Sequence, residues 1–281
     1  MGITVNTNMQ ALKIQQNLTS ATEKMNTAMT RMSTGSKINS AGDDAAGYAV
    51  STTLSKTISS SKVASDNVAI GSDLLSTAEG TLEVIETNLE RIRDLTEQAA
   101  NGTYSTSDLA GIAAEVSARL TQITALANGS TFNGKNLLDG TQSTGITLQV
   151  GTGSGDTLQL SGSIFTDVDA STTLTGLSAA ITGGTTSAIS AYLTTIDSVI
   201  SLNTTRLTTI GAAVNQLDAV SDGLEVQQTN LTSALSTIKD ADVAEESASF
   251  VQQQILQSAS ATLLVQANSA PQIALTLIKG G

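Results

Sequence analysis

Along most of this chain, apolar residues recur in alternating steps of three and four, the spacing that lines one face of a helix. Near the N-terminus Ala11, Ile14, Leu18, Ala21, Met25, Ala28 and Met32 keep that spacing. Leu75, Ala78, Leu82, Ile85, Leu89 and Ile92 repeat it, with Thr96 and Ala99 in register, and a third stripe runs through Leu109, Ala113, Val116, Leu120, Ile123 and Ala127. Asn101-Gly102 between the second and third stripes reads as a turn joining antiparallel helices. Ser107 and Asp108 are expected to supply the N-cap and first-turn acid of the third helix. The longest stripe runs from Leu193 to Ile238 through Ile196, Ile200, Asn203, Leu207, Ile210, Val214, Leu217, Ser221, Leu224, Gln228, Leu231 and Leu235. A strict three-four repeat of that length implies supercoiling against partner helices. At ~1.5 Å per residue it would extend roughly 70 Å. The last segment is also helical in pattern, with a broad apolar stripe on two lines: Ala248, Val251 and Ile255, then Leu256, Ala259, Leu263 and Ala267. A lone helix with that much apolar surface must bury it in something.

The pattern changes between Thr141 and Ser190, where Ser, Thr and Gly make up more than half of the residues. ITLQVGTGSGDTLQLSG alternates apolar and polar residues around a Gly-rich turn and reads as a β-hairpin. Beyond Phe165 the alternation fades into a Thr/Ser-rich stretch expected to face solvent. The expected fold is mainly α: a long antiparallel helical coiled-coil bundle with a small β-hairpin region. Its N- and C-terminal segments, alike in their apolar character, are expected to pack together. Isolated helices are marginal in water, so residues 1 to about 40 and about 242 to 281 are expected to be largely disordered in the monomer and helical in the polymer.

Composition narrows the chemistry. The 281 residues include no His, Cys or Trp. The commonest general base, the thiolate nucleophile and the usual zinc ligands are therefore missing, and Ser-His-Asp or Cys-His arrangements cannot form. Aromatic residues are 2 % of the chain and there is one proline, Pro271, which suits long uninterrupted helices packed side by side. The formal net charge is −12, and no Lys or Arg occurs from Asn136 to Thr205. Nucleic acid is therefore not an expected partner. No apolar run is long enough to span a membrane, and the N-terminal residues lack the features of a secretory signal. No cofactor and no metal are implied.

One stretch tests that reading. In MSTGSKINSAGDDAAGYAV, Met32 to Val50, two adjacent carboxylates sit among Gly, Ala and Ser. On a helix, neighbouring side chains point ~100° apart, so Asp43 and Asp44 are poorly placed to grip one ion together. Flanked by Gly42 and Gly47, they suit a bend followed by a helix start, with a carboxylate capping free N–H groups. A carboxylate-dependent metal enzyme is the competing reading of this pair.

The motifs resemble those of bacterial flagellins. They are Thr7-Asn8, Met32 to Ala41 (MSTGSKINSA), Asp43 to Gly47 (DDAAG), Leu89 to Leu95 (LERIRDL), Asn101-Gly102-Thr103 and Phe132 to Leu138 (FNGKNLL). Late in the chain come Ile210-Gly211-Ala212, Lys239 to Glu246 (KDADVAEE) and Gln266-Ala267-Asn268. The resemblance covers about 1–165 and 190–281. It implies a non-enzymatic structural subunit, exported without a cleavable signal, that polymerises into the extracellular filament used for swimming. The alternative within this resemblance is a hook–filament junction protein, which shares the terminal helices.

The resemblance also implies an inner domain from 1–43 and 240–281 and an outer rod domain from 44–165 and 190–239. Residues 166–189 would be a short residue of the family's variable region. Subunit packing would fall to Ala11, Ile14, Leu18, Met25, Met32, Val251, Ile255, Leu256 and Leu263, with Asp43 and Asp44 in the linker. Implied partners are copies of itself, an export chaperone on the C-terminal helix around Val251 to Leu264, filament-cap and hook-junction proteins, and the flagellin-detecting Toll-like receptor of animal hosts. The receptor positions would be Arg91, Leu95, Glu115 and Glu90, with Arg91 and Leu95 on a helix face displaced from the apolar seam.

Overall fold

The computed structural model describes residues 7–279, with side chains through residue 269. The outermost parts of the expected terminal segments, residues 1–6 and 280–281, lie outside the described residues. Four long helices dominate: α1 (Met9–Thr34), α2 (Ala45–Ala99), α6 (Thr186–Lys239) and α7 (Val243–Lys279). Between α2 and α6 lie α3 (Thr106–Gly129), strands β1 (Thr131–Phe132), β2 (Lys135–Asn136), β3 (Ile146–Gln149) and β4 (Thr157–Leu160), and the short helices α4 (Ala170–Thr173) and α5 (Leu177–Thr182). Contacts divide the chain into a unit of Ile58–Thr229 and a unit built from Met1–Thr57 with Asn230–Gly281. The fold is mainly α with small antiparallel strand pairs, as the periodicity predicts.

The Ile58–Thr229 unit holds a continuous core. Leu75, Ala78, Leu82, Ile85, Leu89, Ile92 and Ala99 of α2 are all buried, and so are Leu109, Ala113, Val116, Ile123 and Ala127 of α3. On α6 the buried residues are Ile189, Ile196, Asn203, Ile210, Leu217 and Leu224, each one heptad after the last. The intervening line Leu193, Ile200, Leu207 and Val214 is half-buried. One heptad line thus faces the core squarely while the other sits at its edge, as in a coiled-coil seam. Asn203 is the polar member of the buried line. Its Nδ2 donates to the Leu82 carbonyl (3.1 Å) and to Glu86 Oε2 (3.2 Å).

The α2–α3 turn has a different cap from the expected one. Helix α3 starts at Thr106, and Ser105 is its N-cap: Ser105 Oγ accepts from the Asp108 N–H, while Asp108 Oδ2 accepts from the Ser105 N–H. This reciprocal capping box uses Asp108 at N3 and leaves Ser107 inside the first turn. The Asp108 carboxyl is held below the usual carboxylate range by the Ser105 hydroxyl, then by the Ser105 backbone N–H.

Both strand pairs are hairpins. In FNGKNLL, Phe132 pairs with Lys135 across Asn133 and Gly134, whose φ values are 48° and 76°. Two left-handed central residues make the type I′ turn that Asn-Gly favours. In the second hairpin Ile146 faces Leu160 and Leu148 faces Leu158, matching the alternation in the sequence. Leu148 lies so close to Gly71 of α2 that a Cβ there would strike its methyl group. Asn67 donates to the Gln149 carbonyl at 2.9 Å. The Thr/Ser-rich stretch is less solvent-facing than expected. Val168, Ala170, Leu174, Leu177 and Ile181 are buried in the same core, because α4 and α5 fold against α3. Most of its Ser and Thr residues remain exposed or half-buried.

In the other unit α1 and α7 run antiparallel and pair along their lengths. Asn8 Nδ2 donates to the Ala267 carbonyl (2.8 Å), Gln257 Nε2 to Thr22 Oγ1 (3.1 Å) and Arg31 Nη1 to Glu246 Oε1 (3.1 Å). Both terminal helices are formed in the single chain, since each gives the other a partner.

Candidate functional site

The linker after α1 begins with Gly35 at φ 67°, the left-handed C-cap that ends the helix. The next residues lie against the end of α6 and the α6–α7 connection. Lys37 N–H donates to the Lys239 carbonyl (2.8 Å) and Ala241 N–H to the Gly35 carbonyl (2.9 Å), forming a bridge at Ser36 and Asp240. Ser36 Oγ adds bonds to the Ile38 and Lys239 carbonyls. Two motifs far apart in sequence, SKIN and KDAD, thus close one joint.

Asp43 and Asp44 do separate jobs in this joint. Asp43 Oδ2 accepts from the Ser40 N–H (2.8 Å), the Asn39 N–H (3.1 Å) and Ser40 Oγ (3.0 Å). These bonds, the Ser40 backbone bond first, hold its carboxyl below the usual range. Asp44 Oδ1 accepts from the Gly47 N–H at 2.9 Å, across the start of α2. A Cβ on Gly47 would fall on the Asp44 carboxylate and on Ile38, so the tight entry into α2 requires glycine. Among the described residues no group of three or more His, Cys, Asp or Glu side chains is placed to hold a metal ion.

The terminal helices present an unusual division of polarity. The side of α7 toward α1 carries Ser247, Ser249, Phe250, Gln253, Gln257, Ser260, Leu264 and Ala267, all half-buried or buried. Val251 and Ile255 on the far side, and Leu256 and Leu263 on a flank, are 51 %, 63 %, 46 % and 56 % exposed. On α1 the row Ala11, Ile14, Leu18, Met25 and Met32 is half-buried, with Ala21 and Ala28 fully covered, while Met9, Leu12 and Met29 are exposed. These exposed apolar side chains have no cover within the chain among the described residues.

The third candidate group lies on α2 and α3. Arg91 is about half exposed and donates through Nε to Glu115 Oε1 at 3.2 Å. The same carboxylate oxygen accepts from Arg119 Nε and Nη2, both at 3.1 Å, and Arg119 Nη1 reaches Asn88 Oδ1. Glu115 is held below the usual range chiefly by Arg119, with Arg91 adding to it. Glu90 is exposed. Leu95 is not on this face: it is 2 % exposed and belongs to the core. Here α2 has α3 on one side and α6 on the other, as the Arg93–Asp197 ion pair at 2.6 Å attests. It therefore buries a wider arc than a single seam. Arg119 was not singled out by sequence; its spacing of four from Glu115 is the signal that marks the pair.

The geometry is thus one of heptad-packed helices, two small hairpins and a terminal helix with an exposed apolar stripe. The comparisons with known proteins give the chain's family. Residues 5–143 match the bacterial flagellin N-terminal helical region, and residues 193–278 the bacterial flagellin C-terminal helical region. A flagellin of Halalkalibacterium halodurans is 34 % identical over 98 % of this chain and 99 % of its own. One of Bacillus subtilis is 33 % identical over 98 % and 99 %. The chain belongs to the bacterial flagellin family. It is a structural subunit of the extracellular flagellar filament, and no helix among the described residues is long and apolar enough to cross a membrane. The crystal structure of Bacillus cereus FlgL shares the fold, with TM-score 0.52 at 20 % identity over 64 % of this chain and 97 % of that one. At that identity the likeness extends to the fold alone.

Proposed function

We propose that the outward stripe of α7, with the α1 row beside it, is the surface through which copies of this flagellin pack. The observation that carries this reading is the polarity of α7: it meets α1 mostly with Gln, Ser and Ala, beside Phe250 and Leu264, and leaves Val251, Ile255, Leu256 and Leu263 in solvent. Repeated heterologous contacts that do not close generate an open helical polymer. On this reading residues 1–43 and 240–281 form the filament core and 44–165 and 190–239 the layer outside it, with 166–189 a short residual variable segment. The joint at Asp43 and Asp44 links the two layers. Removing residues 252–281 is expected to abolish polymerisation, scored by electron microscopy after seeding, while the Ile58–Thr229 unit keeps its helical signal. Normal filaments from the truncated chain would overturn the assignment.

The same stripe requires cover before export, and a helical chaperone on Val251 to Leu264 would supply it. Each large apolar side chain buried there contributes roughly 1.5–3 kcal/mol. Replacing Ile255, Leu256 and Leu263 with Ser is therefore expected to weaken chaperone binding strongly in calorimetry, and unchanged affinity would point to another docking site. Filament-cap and hook-junction proteins, ending the same polymer, would meet the same helices.

A second reading rests on the partly exposed Arg91–Glu115–Arg119 cluster beside the exposed Glu90. Such a charged face, with an Arg free to re-pair, suits a host Toll-like receptor, since Arg is enriched among interface hot spots. Arg91→Ala is expected to lower monomer signalling in reporter cells about tenfold, equivalent to ~1.4 kcal/mol; full potency would reject the face. Leu95→Ala would act through the core behind that face, so it should lower thermal stability together with signalling.

A further inference from the structure

The sequence contains three Asn-Gly pairs, beginning at Asn101, Asn128 and Asn133. In such a pair the backbone nitrogen of the glycine reaches the preceding side-chain amide most easily, because no Cβ shields it or restricts its approach. The fold holds the three pairs differently. Asn128 and Gly129 are the last residues of α3, inside the helical ladder. Asn133 and Gly134 are the central residues of the β1–β2 turn, closed by the Phe132–Lys135 pair. Turning the Asn133 peptide would unpair that hairpin.

Asn101 is freer. It follows the end of α2 and precedes the Ser105 cap, and Asn101, Gly102 and Thr103 are all exposed. The turn is held by two backbone bonds, Asn101 N–H to the Gln98 carbonyl (3.2 Å) and Thr103 N–H to the Asn101 carbonyl (2.8 Å). Among the described residues, neither the Gly102 N–H nor the Asn101 side-chain amide has a hydrogen-bond partner. Around Gly102 there is room, since a Cβ built there meets nothing closer than Thr186 Oγ1 at 3.9 Å.

We propose that Asn101 is a site of spontaneous self-modification, deamidation through a cyclic imide. The Gly102 backbone nitrogen, losing its proton to hydroxide, attacks Cγ of Asn101. The new N–Cγ bond closes a five-membered succinimide, and the Cγ–Nδ2 bond breaks with release of ammonia. Water then opens the ring. Addition at Cγ gives aspartate, and addition at the main-chain carbonyl gives isoaspartate, whose backbone runs through the side chain. No oxidant, enzyme or cofactor is needed, and the rate rises with pH. Either product places a new carboxylate beside the last carbonyls of α2, where the helix dipole disfavours negative charge. The isoaspartyl form also lengthens the turn that folds α3 back on α2.

The test is incubation of the purified full chain in warm, mildly alkaline buffer, followed by peptide mass spectrometry with enzymatic isoaspartate labelling. Asn101 is expected to convert first, at least about tenfold faster than Asn128, which is a barrier lower by ~1.4 kcal/mol. Asn133 should fall between them, and in denaturant the three rates should draw together. Gly102→Ala places its Cβ in open space, so the chain should fold and Asn101 conversion should slow markedly. Conversion of Asn128 or Asn133 as fast as Asn101 in the folded chain would overturn the proposal. So would an unchanged rate in Gly102→Ala.

Discussion

Helices α6 and α7 are written with the same three-four periodicity, yet they use it in opposite ways. In α6 the line from Ile189 to Leu224 turns inward and is covered by the chain's own α2. In α7 Val251, Ile255, Leu256 and Leu263 stay exposed, and the side facing α1 is mostly Gln, Ser and Ala beside Phe250 and Leu264. The unit of Ile58–Thr229 therefore satisfies its apolar surface within one subunit. The terminal unit leaves part of its own exposed. Periodicity reports that a helix has an apolar face; what covers the face depends on which neighbours the fold supplies.

The sharpest way to break this comparison is to make the same kind of substitution in both helical systems. Leu82→Ala, at a fully buried α2 position, should cost the isolated subunit ~2–5 kcal/mol, read by urea denaturation. Ile255→Ala, at 63 % exposure, should change subunit stability by no more than ~0.5 kcal/mol. Similar losses at both sites would mean that α7's outer stripe is already covered within the monomer. A smaller effect, ~1 kcal/mol, is expected for Ser105→Ala, which removes half of the α3 capping box. Ser107→Ala should be near neutral in the same thermal melts, and a reversed order would place the cap at Ser107.

The smallest expected effect is on pH. Asp43, Asp108 and Glu115 have carboxyl groups held below their usual range in the folded chain. The unfolded chain therefore takes up these protons first as pH falls. The stability they contribute is fully present above the ordinary carboxylate range and is lost as pH drops through the depressed folded values. Asp108→Asn should shallow the acid limb of a stability–pH profile without altering its shape near neutrality. An unchanged acid limb would remove Asp108 from this account.

Much of the fold is legible in the sequence because long helices repeat their signal many times. The stripes Leu75–Ile92 and Leu193–Ile238 average over small irregularities, and the alternation in ITLQVGTGSGDTLQLSG fixes a hairpin. Short elements lack that redundancy. Val168, Leu174, Leu177 and Ile181 are single apolar residues in Thr-rich surroundings, and only the neighbouring α3 makes them core. Leu95 falls outside the Ile92, Thr96 and Ala99 register, and its burial depends on α2 having two helical neighbours at that level. At the joint, Asp43 and Asp44 announce a bend, whereas the bridge between Ser36 and Asp240 pairs residues separated by most of the chain. Local spacing carries no sign of it.

The most direct measurement is assembly of the full-length chain with Ile255, Leu256 and Leu263 all replaced by Ser. Seeded polymerisation would be followed by light scattering and electron microscopy, with the monomer's thermal unfolding recorded alongside. The expected result is an unchanged melting transition for the Ile58–Thr229 unit and no filament at concentrations where the parent chain polymerises. Filaments forming at the parent's critical concentration would contradict it.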